Sequence, residues 1–384
     1  MSNKTFHYRM YPTKKQETTL TSWLKLLCET YNAALQERRD AYRLAGKSIG
    51  FSHQCAELPA CREVRPDLAS VPSQVLQDAV KRVDLAFDGF FRRCATGEQP
   101  GYPRFKSRFR YDSMTFKQYG NSFSVESGKK NRGTLMLAKL GHVKMMMHRP
   151  LQGTPKTAIV KRTPTGKWFV SICCEEVPEP VVRESAKEVG IDVGLKTFAY
   201  LSDGTTIENP RFFRVEEKNL AKAQRKRDKA PKKSPKRKKL NKRCARIHER
   251  TKNRRKNFAH QESHKIVKQH GLIAVEALVV RNMVKNPKLA KSIADASWSL
   301  FFTHLQAKAE EAGRTLVRVN PAYTSQRCSC CGHIQQMPLS VRIYECPQCG
   351  LVLDRDHNGS VNILEDGLKA VGRDSRVIPE APGL

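Results

Sequence analysis

Residues 188–204 read EVGIDVGLKTFAYLSDG, and this stretch determines the fold of the second half of the chain. The segments EVGIDVGL and FAYLSDG, followed by TTIENP, run apolar or alternate and are separated by glycine and polar residues. Such a pattern predicts three consecutive strands, of which the first is apolar enough to be central in a sheet. Asp192 interrupts that strand, where a buried carboxylate needs a partner. A turn residue at the strand end is the alternative interpretation.

Two more acidic residues stand in comparable settings. Glu276 is the one acid in GLIAVEALVV (residues 271–280), a predicted buried strand, although an edge residue facing water would give the same pattern. Asp356 comes just before a helix predicted from about residue 358 to 371, so it would cap that helix or lie in its first turn. A divalent cation would relieve the repulsion between three converging carboxylates, and oxygen ligands suit Mg²⁺ or Mn²⁺. Spacing along the chain does not by itself bring the acids together.

Five of the twelve cysteines lie between residues 328 and 349. They include two C-x-x-C pairs, each followed by glycine, with fourteen residues between the pairs, enough for a short hairpin. Four thiolates match a closed, structural, tetrahedral Zn²⁺ site. Unligated thiols in a small core are the alternative, whereas a redox pair would occur singly beside a βαβ pattern. Cys330 is not expected to be a ligand, and the predicted ligands are Cys328, Cys331, Cys346 and Cys349.

The charge balance predicts a polyanionic partner. Lys and Arg number 70 against 37 Asp and Glu, a formal net charge of +33. Nucleic acid is the usual partner of so basic a protein, with a membrane surface as the alternative. No apolar run approaches the roughly 18 residues that a spanning helix needs, and the N-terminus lacks the apolar segment of a secretory signal. We therefore expect a cytoplasmic protein without a membrane partner.

The remaining pattern predicts several domains of mixed α+β class. Residues 1–11 alternate like a strand, and apolar residues recur at helical spacing over 14–45 and 73–94. Residues 113–176 give a series of strands, which predicts a small antiparallel barrel that also accepts the first strand. Residues 222–256 contain nineteen Lys or Arg and two acids, which predicts a charged helical hairpin, or a helix and a loop.

The chain resembles the TnpB (OrfB) proteins of bacterial insertion sequences. The matching stretches are GIDVGLKTFAYLSDG, VEALVV, SIADASW and the block from NPAYTSQRCSCCGH through CPQCGLVLDRDHNGSVNIL. The N-terminal HYRMYPTKKQ and the link GYPRFKSR resemble the family too, so the match is nearly full length and implies a bacterial, nucleoid-associated protein. The resemblance implies an RNA-guided DNA endonuclease with a RuvC-like (RNase H-fold) domain, related to type V CRISPR effectors. The family's catalytic acids fall on Asp192, Glu276 and Asp356. The chain departs from the family pattern at Ala277, where an acid is usual, and at 359–360, where two alanines are usual.

The resemblance also implies a domain plan, partners and contact residues. The partners are a guide RNA from the element end and double-stranded DNA with a short flanking motif; the oligomeric state, monomer or dimer, stays open. Strand transfer by a transposase and RNA-guided binding by a nuclease-inactive repressor are the alternatives.

The expected domains are a wedge barrel (1–11 and 98–182), a helical recognition domain (12–97), a RuvC-like domain (183–326 and 352–371), a zinc-ribbon insertion (327–351) and a disordered tail (372–384). The expected nucleic-acid contacts are Gln77, Lys81, Phe51, Lys117 and Gln118 on the flanking duplex, and Lys226, Arg227, Lys236, Arg237, Lys238 and Arg243 on the guide–target heteroduplex. Ordinary exposed residues are the alternative for the first group, and a solvated basic face for the second.

Overall fold

The chain divides into two compact units, Met1–Glu179 and Pro180–Leu384, and each contains helices and sheet. The multidomain α+β class expected from the sequence is confirmed at this level. No helix in the described ranges is both long enough and apolar enough to span a bilayer. Residues 374–384, most of the tail expected to be disordered, lie outside the described residues. The computed structural model describes residues 2–178, 185–338 and 341–373.

The first unit combines helices with an antiparallel sheet. Its helices are α1 (Lys14–Ala45), α2 (Phe51–Val64) and α3 (Ser73–Ala95), with a 3₁₀ helix at Pro66–Ser70. Its strands are β1 (Ser2–Tyr11), β2 (Ser113–Lys117), β3 (Phe123–Ser127), β4 (Arg132–Leu137), β5 (Gly141–Met146), β6 (Thr154–Arg162) and β7 (Trp168–Val177).

Helix α1 has clear sequence signals at both ends. Thr13 and Gln16 form a capping box at its start, and Gly46 ends it with φ of 62° in the left-handed region. The two long helices predicted from periodicity, α1 and α3, are both present. Helix α2 was not predicted, because it buries only Gln54 and Leu58 and contains Pro59, so it lacks a periodic apolar face.

Strand β1 completes the sheet of the first unit, as expected. It pairs antiparallel with β7, where Phe6 lies opposite Ile172, and with β5, where Met10 lies opposite Met145. The full order is β2-β6-β7-β1-β5-β4-β3. The buried side chains of this sheet and of α1 and α3 form one apolar cluster. Closure of the sheet into a barrel remains a prediction.

The second unit is a mixed sheet covered by helices. Its helices are α4 (Phe212–Asp228), α5 (Pro235–Gln269), α6 (Val280–Met283), α7 (Ala290–Ala296), α8 (Trp298–Glu311) and α9 (Arg355–Ala370). Its strands are β8 (Glu188–Val193), β9 (Thr197–Leu201), β10 (Thr206–Glu208), β11 (Leu272–Glu276), β12 (Thr315–Val319), β13 (Ile343–Glu345) and β14 (Val352–Asp354).

The main sheet has the order β10-β9-β8-β11-β12. The three strands predicted from 188–208 form a meander in which β9 pairs antiparallel with both β8 and β10, and β11 pairs parallel with β8 and β12. The strand predicted over 271–280 is too long: β11 ends at Glu276, and the chain turns into α6 at Val280. Burial stops there too, since Val279 is 59% exposed, so apolar residues alone did not mark the strand end.

Alternate side chains of β11 lie on opposite faces of this sheet. Ile273 and Val275 join the cluster that contains Phe301 of α8, whereas Ala274 joins Ile363 of α9. Helix α9 approaches the sheet closely because glycines lie at the contact. A Cβ added to Gly190 of β8 would lie 2.1 Å from the carbonyl oxygen of Ser360 and 2.6 Å from the amide nitrogen of Leu364. The position of α9 therefore depends on the missing side chain at residue 190.

The variant Gly190→Ala should displace α9 and destabilise the second unit. The added methyl group would meet backbone atoms, which cannot rotate away, so we expect a loss of about 1–3 kcal/mol in unfolding free energy. Chemical denaturation of the purified variant measures this. Gly89→Ala in α3 is the matched control, because its Cβ would meet only the end of the Arg93 side chain, at 3.7 Å. Equal stability of Gly190→Ala and the wild type would contradict the packing.

Candidate functional site

Three carboxylates lie at one edge of the sheet in the second unit. The ladder pairs Ile191 of β8 with Val275 of β11, and Asp192 and Glu276 are the next residues on these parallel strands. Side chains in register on neighbouring strands project from the same face. Asp356 is the second residue of α9, which packs against both strands. The structure therefore brings the three predicted acids together.

Two glycines show how closely the elements approach at this edge. A Cβ added to Gly359 of α9 would lie 3.0 Å from Oδ2 of Asp192. A Cβ added to Gly194, just after β8, would lie 3.8 Å from Oδ2 of Asp356. Asp192 therefore lies close to α9, the helix that carries Asp356. In turn, Asp356 lies close to the residue that follows β8, the strand that carries Asp192. Small residues at these positions are what the approach requires.

Burial raises the pKa of all three carboxyl groups. Burial raises the pKa of Asp192 well above the usual carboxyl range, and repulsion from Glu276 and Asp356 raises it further. Burial also raises the pKa of Glu276, although Thr324 Oγ1 donates a hydrogen bond to its Oε1 at 2.6 Å. Burial raises the pKa of Asp356, although Arg342 Nη1 lies 3.5 Å from its Oδ1. A divalent cation would offset the negative charge that remains.

The acids do not form a tight cage for a single ion. Among the residues that the structure describes, their oxygens do not all lie within 4.8 Å of one another, unlike the sulfurs of the cysteine cluster below. The donors at this edge are carboxylate oxygens, the ligand type that hard divalent cations such as Mg²⁺ prefer.

Asp354 is distinguished from Asp356 by its role in the backbone. It is the N-cap of α9, and its Oδ1 accepts hydrogen bonds from the backbone N–H groups of Asp356, at 2.8 Å, and His357, at 3.3 Å. The cap satisfies helix donors that have no partner within the helix. Asp356, in the first turn, keeps its carboxylate for the acidic site.

Several residues that support this site were not predicted. Besides Thr324 and Arg342, two fully buried asparagines one turn apart on α9 bind the backbone of the cysteine segment. Asn358 Oδ1 accepts from Ser329 N at 2.9 Å, and Asn362 Nδ2 donates to Arg327 O at 2.6 Å. The signal available in the sequence was two asparagines at i and i+4 on one helix face.

Asp295 was also missed, although it lies in the SIADASW stretch. It is buried, and its carboxylate accepts from the N–H groups of Phe213, at 2.8 Å, and Arg214, at 3.2 Å, in the first turn of α4. It also pairs with Arg255 of α5 at 2.7 Å. Asp295 thus holds both helices of the basic hairpin against α7.

The four predicted cysteine ligands form a compact cluster. The sulfurs of Cys328 and Cys349 are 3.6 Å apart, those of Cys331 and Cys346 are 3.5 Å apart, and all four lie within 4.8 Å of one another. Sulfurs on a tetrahedral ion with bonds of about 2.3 Å lie about 3.8 Å apart. Burial raises the pKa of Cys328 to about 12, whereas at Cys346 the backbone N–H groups of Cys349 and Gln348 outweigh burial and lower the pKa to about 6. The cluster fits one four-coordinate metal ion.

The local backbone of this cluster differs in one respect from expectation. In the described residues, the strand pairing surrounds each C-x-x-C pair: β13 and β14 flank the second pair, and the bridge between Arg327 and Ile334 flanks the first. Each pair therefore occupies the tip of its own turn. Cys330 is exposed and outside the four-sulfur group.

The basic stretch forms the predicted helical hairpin from α4 and α5. The Arg237 side chain is hydrogen-bonded within this hairpin, because its Nη1 donates to the carbonyls of Ala230, at 2.8 Å, and Arg227, at 3.1 Å. Arg227 itself pairs with Asp228. The other cations expected to contact the heteroduplex are exposed, namely Lys226, Lys236, Lys238 and Arg243.

The five residues expected to contact the flanking duplex lie on α2, α3 and the end of β2. Lys81 Nζ is 5.2 Å from the ring centroid of Phe51 and pairs with Asp84. Gln118 hydrogen-bonds to Gln74 of α3, which brings the end of β2 to the start of that helix. The remaining two, Gln77 and Lys117, are exposed.

Comparison with solved structures defines the class of fold. The "Cryo-EM structure of the Cas12f1-sgRNA-target DNA complex" matches with a TM-score of 0.59 at 16% identity, over 91% of this chain and 83% of that one. The "Structure of the mini-RNA-guided endonuclease CRISPR-Cas_phi3" matches with a TM-score of 0.55 at 9% identity, over 96% and 92%. The chain is therefore a multidomain α+β protein of Cas12-like fold.

Sequence comparison then gives the family. The OrfB_IS605 model, "Probable transposase", matches 171–287, the "Cas12f1-like, TNB domain" matches 298–363, and the OrfB_IS605 "Helix-turn-helix domain" matches 1–47. A "Putative RNA-guided DNA endonuclease" of Streptomyces pristinaespiralis is 34% identical over 96% of this chain and 90% of that protein. The "Putative RNA-guided DNA endonuclease InsQ" of Escherichia coli (strain K12) is 30% identical over 94% and 92%. The chain belongs to the OrfB_IS605 (TnpB) family.

Proposed function

We propose that this protein is an RNA-guided DNA endonuclease of a transposable element, which cuts target DNA beside a short flanking motif. The observation that carries the proposal is the convergence of Asp192, Glu276 and Asp356 from two parallel strands and a helix. Family membership supports the same function, because full-length relatives bear that name.

In this proposal Asp192, Glu276 and Asp356 would hold two Mg²⁺ or Mn²⁺ ions. Such ions would supply an activated water and stabilise the leaving oxygen of a phosphodiester. Thr324 fixes the orientation of the Glu276 carboxylate by its hydrogen bond. Arg342, beside Asp356, places a cation at the rim of the centre, where it would attract a DNA phosphate.

The domain plan follows from the same proposal. The order β10-β9-β8-β11-β12, with an acid on β8 and another on β11, supports a RuvC-like domain over 183–326 and 352–371. The four-cysteine cluster supports a zinc ribbon over 327–351 with a structural Zn²⁺. We assign 12–97 to recognition, and 1–11 with 98–182 to the wedge; Gln77, Lys81, Phe51, Lys117 and Gln118 are then the flanking-motif contacts.

The hairpin of α4 and α5 is proposed to bind nucleic acid by charge. Replacing Lys236, Lys238 and Arg243 together with glutamine should weaken guide-RNA binding and flatten its salt dependence. Each lost phosphate contact reduces the slope of log affinity against log salt by roughly 0.7–0.9. Binding titrations at several salt concentrations measure this effect.

The matched control lies on the same helix. Lys265 and Lys268 are exposed near the end of α5, outside the 222–256 stretch. Replacing both with glutamine should change the slope of log affinity against log salt by no more than the loss of about one phosphate contact would. An unchanged slope in the triple variant would contradict the assignment of the hairpin.

Cleavage of a matched plasmid tests the function directly. The protein, purified with RNA transcribed from its own locus, should linearise a plasmid that carries the target and flanking motif when Mg²⁺ is present, and leave the ends unjoined. Joined products would favour a transposase. Binding without any cut would favour an RNA-guided repressor.

A further inference from the structure

An open cleft of about 440 Å³ lies on the first unit, between Arg39 of α1 and residues 100–105. Two of its walls are the rings of Tyr102 and Phe105, which are 46% and 47% exposed. The guanidinium carbon of Arg39 lies 5.9 Å from the Tyr102 ring centroid and 5.3 Å from that of Phe105. None of these residues belongs to the sites described above.

The Tyr102 ring is held in place from behind. It makes edge contacts with the rings of Phe87, at 5.6 Å, and Phe90, at 5.4 Å, on α3. The backbone beside it is fixed as well, because Arg93 Nη2 donates to the carbonyl of Gly101 at 3.3 Å. The wall of the cleft is therefore a supported aromatic surface.

The Phe105 ring is directed outward by its neighbour. Asn32 of α1 binds both backbone groups of Lys106: its Oδ1 accepts from the N–H at 2.8 Å, and its Nδ2 donates to the carbonyl at 2.9 Å. The Lys106 side chain points inward, with Nζ 4.3 Å from the ring centroid of buried Tyr31. Because Lys106 is fixed in this way, Phe105 stays exposed at the cleft.

The charges around the cleft favour an anion. In the part of the chain that the structure describes, Arg39 makes no ion pair, so its donors remain available. The segment 98–111 carries four cationic residues and one acid. Aromatic rings beside an unpaired guanidinium bind unpaired bases by stacking and their phosphates by charge-assisted hydrogen bonds. A paired base is covered by its neighbours in the stack and could not enter.

We propose that this cleft binds an unpaired nucleotide of the guide RNA, with the base stacked on Tyr102 and Phe105 and a phosphate on Arg39. The proposal rests on the proposed function, which supplies the RNA. It adds a defined single-stranded subsite to a protein whose other expected RNA contacts are made by charge.

Binding of labelled oligouridine to the full-length protein tests the subsite, with an RNA duplex as the second probe. Tyr102→Leu and Phe105→Leu should each weaken oligouridine binding by about tenfold and leave duplex binding nearly unchanged. Tyr102→Phe, which keeps the ring, should bind like the wild type. Phe109→Leu is the matched control, because that ring is 82% exposed and has Arg108 over it, 4.9 Å from its centroid, but does not line the cleft.

Crosslinking identifies the occupant. With 4-thiouridine in the guide RNA, the purified ribonucleoprotein should give a crosslinked peptide that contains Tyr102 and Phe105, from an unpaired position of the RNA. Two results together would overturn the proposal: the leucine variants lose as much affinity for oligothymidine as for oligouridine, and no such crosslink forms. The cleft would then be a binding site for a DNA strand. A change in self-association without a change in RNA affinity would overturn it too.

The outcomes separate this inference from the proposed function. If the leucine variants bind oligouridine like the wild type while the protein still binds guide RNA and cuts DNA, only the cleft assignment fails. If the wild-type protein binds neither guide RNA nor oligouridine, the proposed function fails as well.

Discussion

Asp192→Asn should reduce DNA cleavage by about a thousandfold or more while the protein keeps its guide RNA and still binds matched DNA. Asparagine has nearly the shape of aspartate but lacks the charge that would hold a divalent cation between β8 and α9. Cleavage of a matched plasmid in Mg²⁺, with parallel measurements of RNA and DNA binding, gives the result. Asp203→Asn, in the exposed turn after β9, is the matched control and should cut normally.

The stability of the same variant separates a catalytic role from a structural one. Folding raises the pKa of Asp192, so at neutral pH, without divalent cations, its ionised form favours the unfolded state. Asparagine removes this penalty, which is present above the unfolded pKa of the carboxyl group. In EDTA the variant should therefore melt at the same or a higher temperature than the wild type. A lower melting temperature, or cleavage that persists, would refute the assignment.

Cys346→Ser should abolish binding of the zinc ion proposed for the four-cysteine cluster and unfold the segment around it. A structural zinc ion contributes on the order of 10 kcal/mol to the folding of such a module, and serine is a poor replacement for a thiolate. Elemental analysis should show one zinc fewer per chain, and limited proteolysis should cut within 328–354. Cleavage activity should fall as well, because Ser329 and Arg327 bind the helix that carries Asp356.

Cys330→Ser is the control for this prediction, because its thiol lies outside the four-sulfur group. It should keep the wild-type zinc content and protease resistance. Equal zinc content in Cys346→Ser and the wild type would mean that the cluster is not the metal site.

Local patterns were enough to predict many of the strands and helices, including the two strands that carry Asp192 and Glu276. Period-2 and apolar runs gave β8, β9 and β11, and helical spacing gave α1 and α3. The C-x-x-C spacing predicted which four thiols converge, because each pair forms its own tight turn. Boundaries were less accurate: the apolar run through Val280 concealed the end of β11 at Glu276, and α2 lacks the apolar face that would have revealed it.

These local patterns could not predict the contacts that support the candidate site. Thr324, Asn358 and Asp295 each act on a partner at least 29 positions away in the chain. A threonine or asparagine in a loop or helix has no distinctive periodicity, so only the folded chain shows that its hydrogen-bonding group is buried and matched. Their roles follow from tertiary packing.

The sequence alone determined the excess of positive charge, the two cysteine turns and the placement of single acids in apolar strands, because these depend on composition and on neighbours a few residues apart. Only the tertiary structure decided that the acids meet. Parallel pairing of β8 with β11 puts Asp192 and Glu276 in register, and the missing side chain of Gly190 lets α9 bring Asp356 against them. Register and close approach depend on contacts between distant segments, and no local pattern encodes them.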